Sequence, residues 1–298
     1  MGITLTSTQA SLLVYEGFSG YGTQSLSGLA VSANAVGLSG NYVTATANGI
    51  SISSTGLTFG GGATTYAVSG GASTWALNGA GGVGVTLAMS TSSYVGTLYG
   101  SYLVNLGANP TTDAARAEVR FNASTTGVTG TSFYNSMAAS TTLGQSAVKY
   151  NTAIITTPIA MVADTTYMVI SKWTNVGGTG TGVGTMWVLS SAQYDTLMTA
   201  GHLTDSYLST AVVGTDVTEM VTSVSDTANP TTLANGEAMQ LIFGSGSALT
   251  TRTIDEIKFG SSLLDVAAVP EPNSMALLLG SSAVLILVAY RRRSQIAW

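Results

Sequence analysis

The strongest constraint on this chain is a two-residue hydrophobic period, interrupted again and again by glycine. From Arg116 to Asn122, the polar Arg116, Glu118, Arg120 and Asn122 alternate with Ala117, Val119 and Phe121. Side chains on a strand point to opposite faces in turn, so this segment predicts an antiparallel strand with one buried face. From Thr166 to Trp173, Met168, Ile170 and Lys172 alternate with Tyr167, Val169, Ser171 and Trp173. Residues 185–189 and 238–243 are further runs rich in β-branched, aromatic and long apolar residues. Glycine clusters at 60–62, 70–71, 79–84 and 177–184 divide the strands. One segment, Ser190 to Ala200, reads as a helix that stops at Gly201. Many short strands and few helices predict an all-β fold, a two-sheet antiparallel sandwich or jelly roll. No repeat of fixed period points to a propeller or β-helix. Residues 12–268 read as one domain.

Charge is scarce. Only 8% of the 298 residues are charged, against 45% hydrophobic. Without Arg291–Arg293 and Glu271, residues 1–269 keep six basic and thirteen acidic groups, a net charge of −7. Such a body lacks the basic patch that nucleic-acid binding requires. A surface of Ser, Thr and Gly is soluble yet weakly repulsive, which permits a homo-oligomer. Cysteine is absent, which excludes thiol catalysis and Cys-ligated metals. His202 is the single histidine, so any Ser-His-Asp arrangement would have to use it.

The C-terminal region has a different character. Val269-Pro270-Glu271-Pro272 precedes 16 uncharged, mostly apolar residues, Met275 to Tyr290, and then Arg291-Arg292-Arg293. As a helix, the apolar run would reach about 24 Å, just short of a hydrocarbon core of about 30 Å. Asn273 and Ser274 can sit in one interface while the arginines snorkel at the other and stay cytoplasmic. The expectation is a single transmembrane helix with residues 1–269 outside the inner membrane. Pro270, Glu271 and Pro272, the apolar run and the basic cluster, in that order, resemble the PEP-CTERM sorting domain. That resemblance implies an exosortase-type membrane protease as partner, a cut near Pro270–Pro272, and a protein delivered to the envelope or the extracellular matrix. Two prolines keep the motif extended and unpaired, a form a protease can grip. Residues 269–298 are therefore read as the sorting tail. Residues 1–11 have neither a basic start nor an apolar core and are read as a residual or truncated export-signal region.

Three body segments carry a second resemblance: Leu13 to Phe18, Thr166 to Lys172 before Trp187-Val188, and Ile254 to Gly260 before Leu264-Asp265-Val266. Their order is similar to laminin-G or concanavalin-like jelly rolls. The resemblance implies two antiparallel sheets and a candidate glycan ligand such as exopolysaccharide, with calcium in some relatives.

Glu16, Asp255 and Glu256 are the candidate metal ligands, since calcium prefers carboxylate and carbonyl oxygens. The plainer reading makes them exposed strand charges with Lys258 as a cross-strand partner. Glu118 is a candidate glycosidase acid, although such enzymes need two carboxylates across a cleft. The plainer reading is an ion-paired solvent face with Arg116 and Arg120. Trp75, beside glycine-rich turns, is the candidate glycan contact, while Trp173 and Trp187 read as core. His202 with Asp205 could begin a triad, but no Gly-x-Ser-x-Gly elbow accompanies them. The glycine clusters lack the Lys-Ser/Thr of a phosphate loop. No catalytic residue and no obligatory cofactor is assigned. The chain reads first as a non-enzymatic structural or adhesive module, then as a glycan-active enzyme or a self-assembling surface-layer subunit.

Overall fold

A computed structural model describes residues 12–44, 49–61, 66, 68, 70–75, 81–90, 93–108, 115–122, 133–139, 145–150, 153–158, 161–224, 238–245 and 251–267. The sorting tail, its apolar run, the motif Pro270–Pro272 and Arg291–Arg293 lie outside the described residues, as does the region 1–11. Among the described residues, no helix is long and apolar enough to cross a membrane.

The chain runs through β1 (Leu12–Glu16), β2 (Gln24–Ser25), β3 (Leu38–Thr44), β4 (Ile50–Ser53), β5 (Ala72–Trp75) and β6 (Gly81–Met89). Next come β7 (Gly96–Asn105), β8 (Ala115–Asn122), β9 (Phe133–Ala139), β10 (Gln145–Tyr150) and β11 (Ala153–Pro158). β12 (Thr166–Val176) and β13 (Val183–Ser190) lead into α1 (Ser191–Thr199) and α2 (Asp205–Leu208). β14 (Glu219–Val224), β15 (Ala238–Ser245), β16 (Arg252–Gly260) and α3 (Leu263–Ala267) complete the described fold.

The strands form the expected two-sheet antiparallel sandwich. One sheet has nine strands, ordered β14-β13-β12-β7-β16-β5-β4-β2, with β1 also on β16. The other has seven, ordered β11-β10-β9-β8-β15-β6-β3. β5 and β1 share one edge of β16 end to end: β5 pairs with Arg252–Ile254, and β1 with Ile257–Gly260. The first and last strands described are therefore neighbours.

Between the sheets lies an inner core that includes Val14, Tyr102, Val169, Trp173, Val119, Leu241 and Phe259. Trp173 stacks on Phe259 with centroids 6.1 Å apart and planes 24° apart. The alternation in β12 runs as the sequence predicts, with Tyr167, Val169 and Trp173 in this core. Its other face is also covered. Met168 and Ile170 belong to a second, outer core with Tyr66, Trp187, Tyr194 and Val266. The middle of the nine-stranded sheet is thus buried on both faces, which explains why β16 is buried at every position.

The helices, with Leu57, Phe59, Tyr66 and Val68, supply that outer layer. α1 starts where the sequence places it. Ser190 caps it, with Gln193 closing a capping box. It ends at Gly201, where φ is +68° and His202 N–H donates to Leu197 O at 2.7 Å, a left-handed stop. Gly60 N–H donates to Ser191 Oγ (3.2 Å) and Gly61 N–H to Asp195 Oδ2 (3.0 Å). The first glycine cluster thus docks on a helix instead of cradling a phosphate.

Candidate functional site

The pairing of β1 with β16 brings Glu16 next to the Asp255–Glu256 pair, and a break in β16 decides how the acids face. The register of β16 against β7 shifts between Asp255 and Lys258, and Glu256 has φ +50°. This is a β-bulge, an extra residue that lets two neighbours leave on one side. Ile254 and Ile257 both reach the inner core although they are three residues apart. Asp255, Glu256 and Lys258 make their contacts on the outer side, with Leu57, Tyr15 and Tyr66.

Glu16 points the other way, into the inner core with Val14 and Ile257. Its carboxylate accepts from Phe18 N–H (2.7 Å), Tyr42 OH (2.6 Å) and Tyr21 OH (3.1 Å). Burial pushes the Glu16 carboxyl above its usual range, against the pull of the Tyr42 hydrogen bond. Burial, helped by the Glu16 charge, raises the Tyr21 phenol to about 12.

On the outer side, Asp255 accepts from Leu57 N–H (2.8 Å) and Glu256 N–H (2.7 Å). Burial raises its carboxyl to about 8, with Glu256 adding to the rise. Glu256 accepts from Tyr15 OH (3.2 and 3.3 Å) and pairs with Lys258 Nζ at 3.3 Å. Lys258 Nζ also donates to Tyr66 OH at 2.6 Å and lies 4.3 Å from the Tyr66 ring centroid. Burial lowers the Lys258 ammonium, while Glu256 opposes the shift. Gly17 leaves room here for the Tyr15 hydroxyl, which a Cβ at that position would push aside.

These positions correct the sequence reading. Glu16, Asp255 and Glu256 are buried, at 1%, 0% and 1% exposure, so they are not solvent-facing strand charges. Lys258 does pair with Glu256, along its own strand, and faces Tyr15 across the register. The three acids do not converge as calcium ligands: Glu16 lies on one face of the sheet and Asp255 and Glu256 on the other. Among the described residues, no group of three acids or histidines is arranged to hold a metal. What the sequence reading missed is the tyrosine shell of Tyr15, Tyr21, Tyr42 and Tyr66. Its available signal was composition: thirteen tyrosines against six phenylalanines, an excess of aromatics that can donate to a buried carboxylate.

The other candidates are equally placed by their surroundings. Trp75 ends β5 inside the inner core, 2% exposed. Its ring stacks on Phe243 (6.5 Å, 29°), and Arg252 lies 5.2 Å from its centroid. It presents no open face to a sugar. Trp173 and Trp187 are core, as expected, and Trp187 Nε1 donates to Leu208 O at 2.9 Å.

Glu118 is 2% exposed and bonded to Arg120. The pairing was expected; the burial was not, since Glu118 lies on the face of β8 turned away from the inner core. Gln240 and Ile242 on that same face are also buried. Glu118 is the single acid in the seven described strands of its sheet, so no second carboxylate stands opposite it there. His202 stacks on Tyr207 (4.2 Å, 17°), whereas Asp205 pairs with Lys172 at 2.6 Å. No triad forms among the described residues.

One open pocket of ≈ 350 Å³ lies at the end of β7 and the start of β16, lined by Leu57, Asn105, Gly107, Ala108, Asp164, Thr251 and Thr253. Its rim closes on itself: Gly107 N–H donates to Asn105 Oδ1 (2.8 Å), and Asp164 N–H to Gly107 O (2.9 Å). A lone carboxylate among hydroxyls and backbone can hold a polar molecule but does not form an acid–base pair.

No family model and no curated protein sequence matches the chain. Among solved structures, it is similar to lectin II from Ulex europaeus at 8% identity and a TM-score of 0.42, covering 74% of this chain and 97% of that one. It is also similar to basic winged bean lectin with Tn-antigen, at 9% identity and a TM-score of 0.42, over 85% of this chain and 98% of that one. A third is the carbohydrate recognition domain of Emp46p in its potassium-bound form, at 7% identity and a TM-score of 0.38, over 66% and 86%. At this level, the likeness is one of strand arrangement and assigns no ligand to this chain.

Proposed function

We propose that this is an exported protein whose β-sandwich serves as a non-enzymatic structural or adhesive module of the cell envelope or extracellular matrix. On this reading, the inner membrane holds the precursor by residues 275–290, and an exosortase-type protease cuts near Pro270–Pro272. The observation that carries the proposal is the junction between body and tail. The last described helix, α3, is packed into the outer core through Leu263, Val266 and Ala267. Ala267 lies only three positions before Pro270. A cut at the motif would therefore fall just beyond the last packed element of the described body. The low charge of that body supports a role in a crowded matrix, where contacts between copies or with exopolysaccharide are made through hydroxyls and backbone. Glycan binding, if the module has it, needs a site other than Trp75; the open pocket beside Asp164 is the polar candidate.

The test is the mass of the mature protein in cell and medium fractions of an expressing host. The expected species ends near Pro270–Pro272. Recovery outside the cell of a chain that still carries Arg291–Arg293 would sink the processing step. Retention on extracted matrix polysaccharide, abolished by changes around Asp164 and not by Trp75→Phe, would favour the adhesive over the purely structural version.

A further inference from the structure

α3 has only five residues, too few to be helical without help, and the help is unusually dense. At its start, Ser262 N–H donates to Asp265 Oδ2 (2.7 Å) and Asp265 N–H returns to Ser262 Oγ (3.3 Å). At its end, where a helix leaves carbonyls without partners, three side chains from distant parts of the chain supply donors. Val266 O accepts from Tyr66 OH (3.3 Å) and from Ser101 Oγ, and Ala267 O accepts from Tyr194 OH (2.9 Å). Lys258 Nζ donates to the Tyr66 oxygen at 2.6 Å, which leaves the Tyr66 proton for Val266. Val266 and Ala267 are fully buried.

We propose that α3 is a built-in proteolytic stop, which blocks cleavage of the folded chain upstream of residue 268 and so sets the C-terminal limit of the mature body. A protease draws an extended segment into its cleft, so a clamped and buried helix must first open locally before it can be cut. In the sequence beyond Ala267, Pro270 and Pro272 cannot continue a helix and bias their neighbours to extended backbone. Three residues reach at most about 11 Å, so an enzyme acting on the motif works against the rim of the body. The stop is a property of the substrate and holds for any peptidase that meets the folded chain.

The experiment is limited digestion of the purified full chain in detergent with a broad-specificity protease, with C-terminal fragments identified by mass. The expected result is a persistent C-terminus between residues 268 and 273. The double variant Ser101→Ala with Tyr194→Phe removes two of the clamping donors. Cleavage within residues 261–267 should then rise about tenfold, with cleavage in the exposed hairpin tip at 179–181 unchanged. A wild-type limit upstream of residue 268, or a variant cut within 261–267 at the wild-type rate, overturns the proposal. So does an equal rise at the hairpin tip, since α3 would then open only with the whole body. A limit within 268–273 in the tube, together with an uncut chain in cells, would remove the processing proposal above and leave this one standing.

Discussion

Glu16 and the Asp255–Glu256 pair sit back to back across one sheet, and they solve the same problem differently. On the inner face, a single carboxylate is satisfied by two phenols and one backbone N–H. On the outer face, two carboxylates share one ammonium, one phenol and two backbone N–H groups. A common feature explains why either site exists. Phe18, whose N–H donates to Glu16, has φ +50°, and so does Glu256, whose N–H donates to Asp255. Non-glycine residues in this region carry a cost of about 1–3 kcal/mol. Each acid fixes a kink that the chain would otherwise relax: the turn out of β1 in one case, the bulge of β16 in the other. The difference teaches that a cation is needed where two acids crowd one face, and is dispensable where hydroxyls surround one acid.

The largest effect should come from removing that cation. Lys258→Met leaves Glu256 buried beside Asp255 with no counter-charge, and breaking such a pair costs about 3–5 kcal/mol. Glu16→Gln, by contrast, keeps an oxygen for Phe18 N–H, and its amide can donate to the two phenols, which turn to accept. Its cost should stay below about 1 kcal/mol. Chemical denaturation of both variants measures the contrast. Adding Glu256→Gln to Lys258→Met should restore part of the loss, since a neutral pair needs no counter-charge. Equal losses for Lys258→Met and Glu16→Gln would break the comparison.

How much of this was legible in the sequence depends on how local the cause is. β8, β12 and α1 were, because alternation and a Ser-x-x-Gln cap are written within a few residues. The direction of the acids was not. It depends on the bulge at Asp255–Glu256, which breaks the period that a sequence reading relies on, and on φ angles that alternation does not encode. The burial of Glu118 and of the outer face of β12 needed knowledge of a further layer, supplied for β12 by α1, α2, α3 and the residues Leu57, Phe59, Tyr66 and Val68. α3 was read as part of the closing segment after Gly260; its only local signal is Ser262-x-x-Asp265. Trp75 misled because glycine-rich neighbours suggested a loop, whereas it pairs with Arg252 across β16 and fills the core.

A second contrast is in pH. Asp255 holds its proton up to about 8, from an ordinary value of 3.8. Between those values, the folded chain binds a proton that the unfolded chain has released, so stability falls as pH rises, until the loss is complete above about 8. Glu16 is raised as well, by burial first, and acts in the same direction. The melting temperature should therefore drop from pH 5 to pH 8.5. Asp255→Asn should remove the part of that fall that reaches pH 8, and Glu16→Gln should also make the fall shallower. An unchanged profile in Asp255→Asn would mean that the carboxyl is ionised in the folded protein, with Lys258 serving both acids.

Smaller again is the difference between the two phenols that each site depends on most. Tyr42 is buried and donates to Glu16 at 2.6 Å, while Tyr15 is half-buried and donates to Glu256 at 3.2 Å. Tyr42→Phe removes a short bond to a carboxylate that has no cation and should cost about 1.5–3 kcal/mol. Tyr15→Phe leaves Glu256 its ammonium and should cost about 0.5–1 kcal/mol. If Tyr15→Phe proved the more costly, Lys258 would not be compensating Glu256.

The smallest expected effect concerns calcium, and it tests the comparison at its root. A ligand that binds only the folded state raises stability in proportion to its occupancy. With Glu16 turned to one face and already holding three donors, the acids cannot act as one oxygen cage, and Lys258 occupies the outer side. Millimolar calcium, or its removal with a chelator, should leave the melting temperature unchanged in the wild type. It should stay unchanged in Lys258→Met as well, unless the freed outer pair alone suffices. A calcium-dependent rise in Lys258→Met and not in the wild type would show that the ammonium does the work of a metal ion at that bulge.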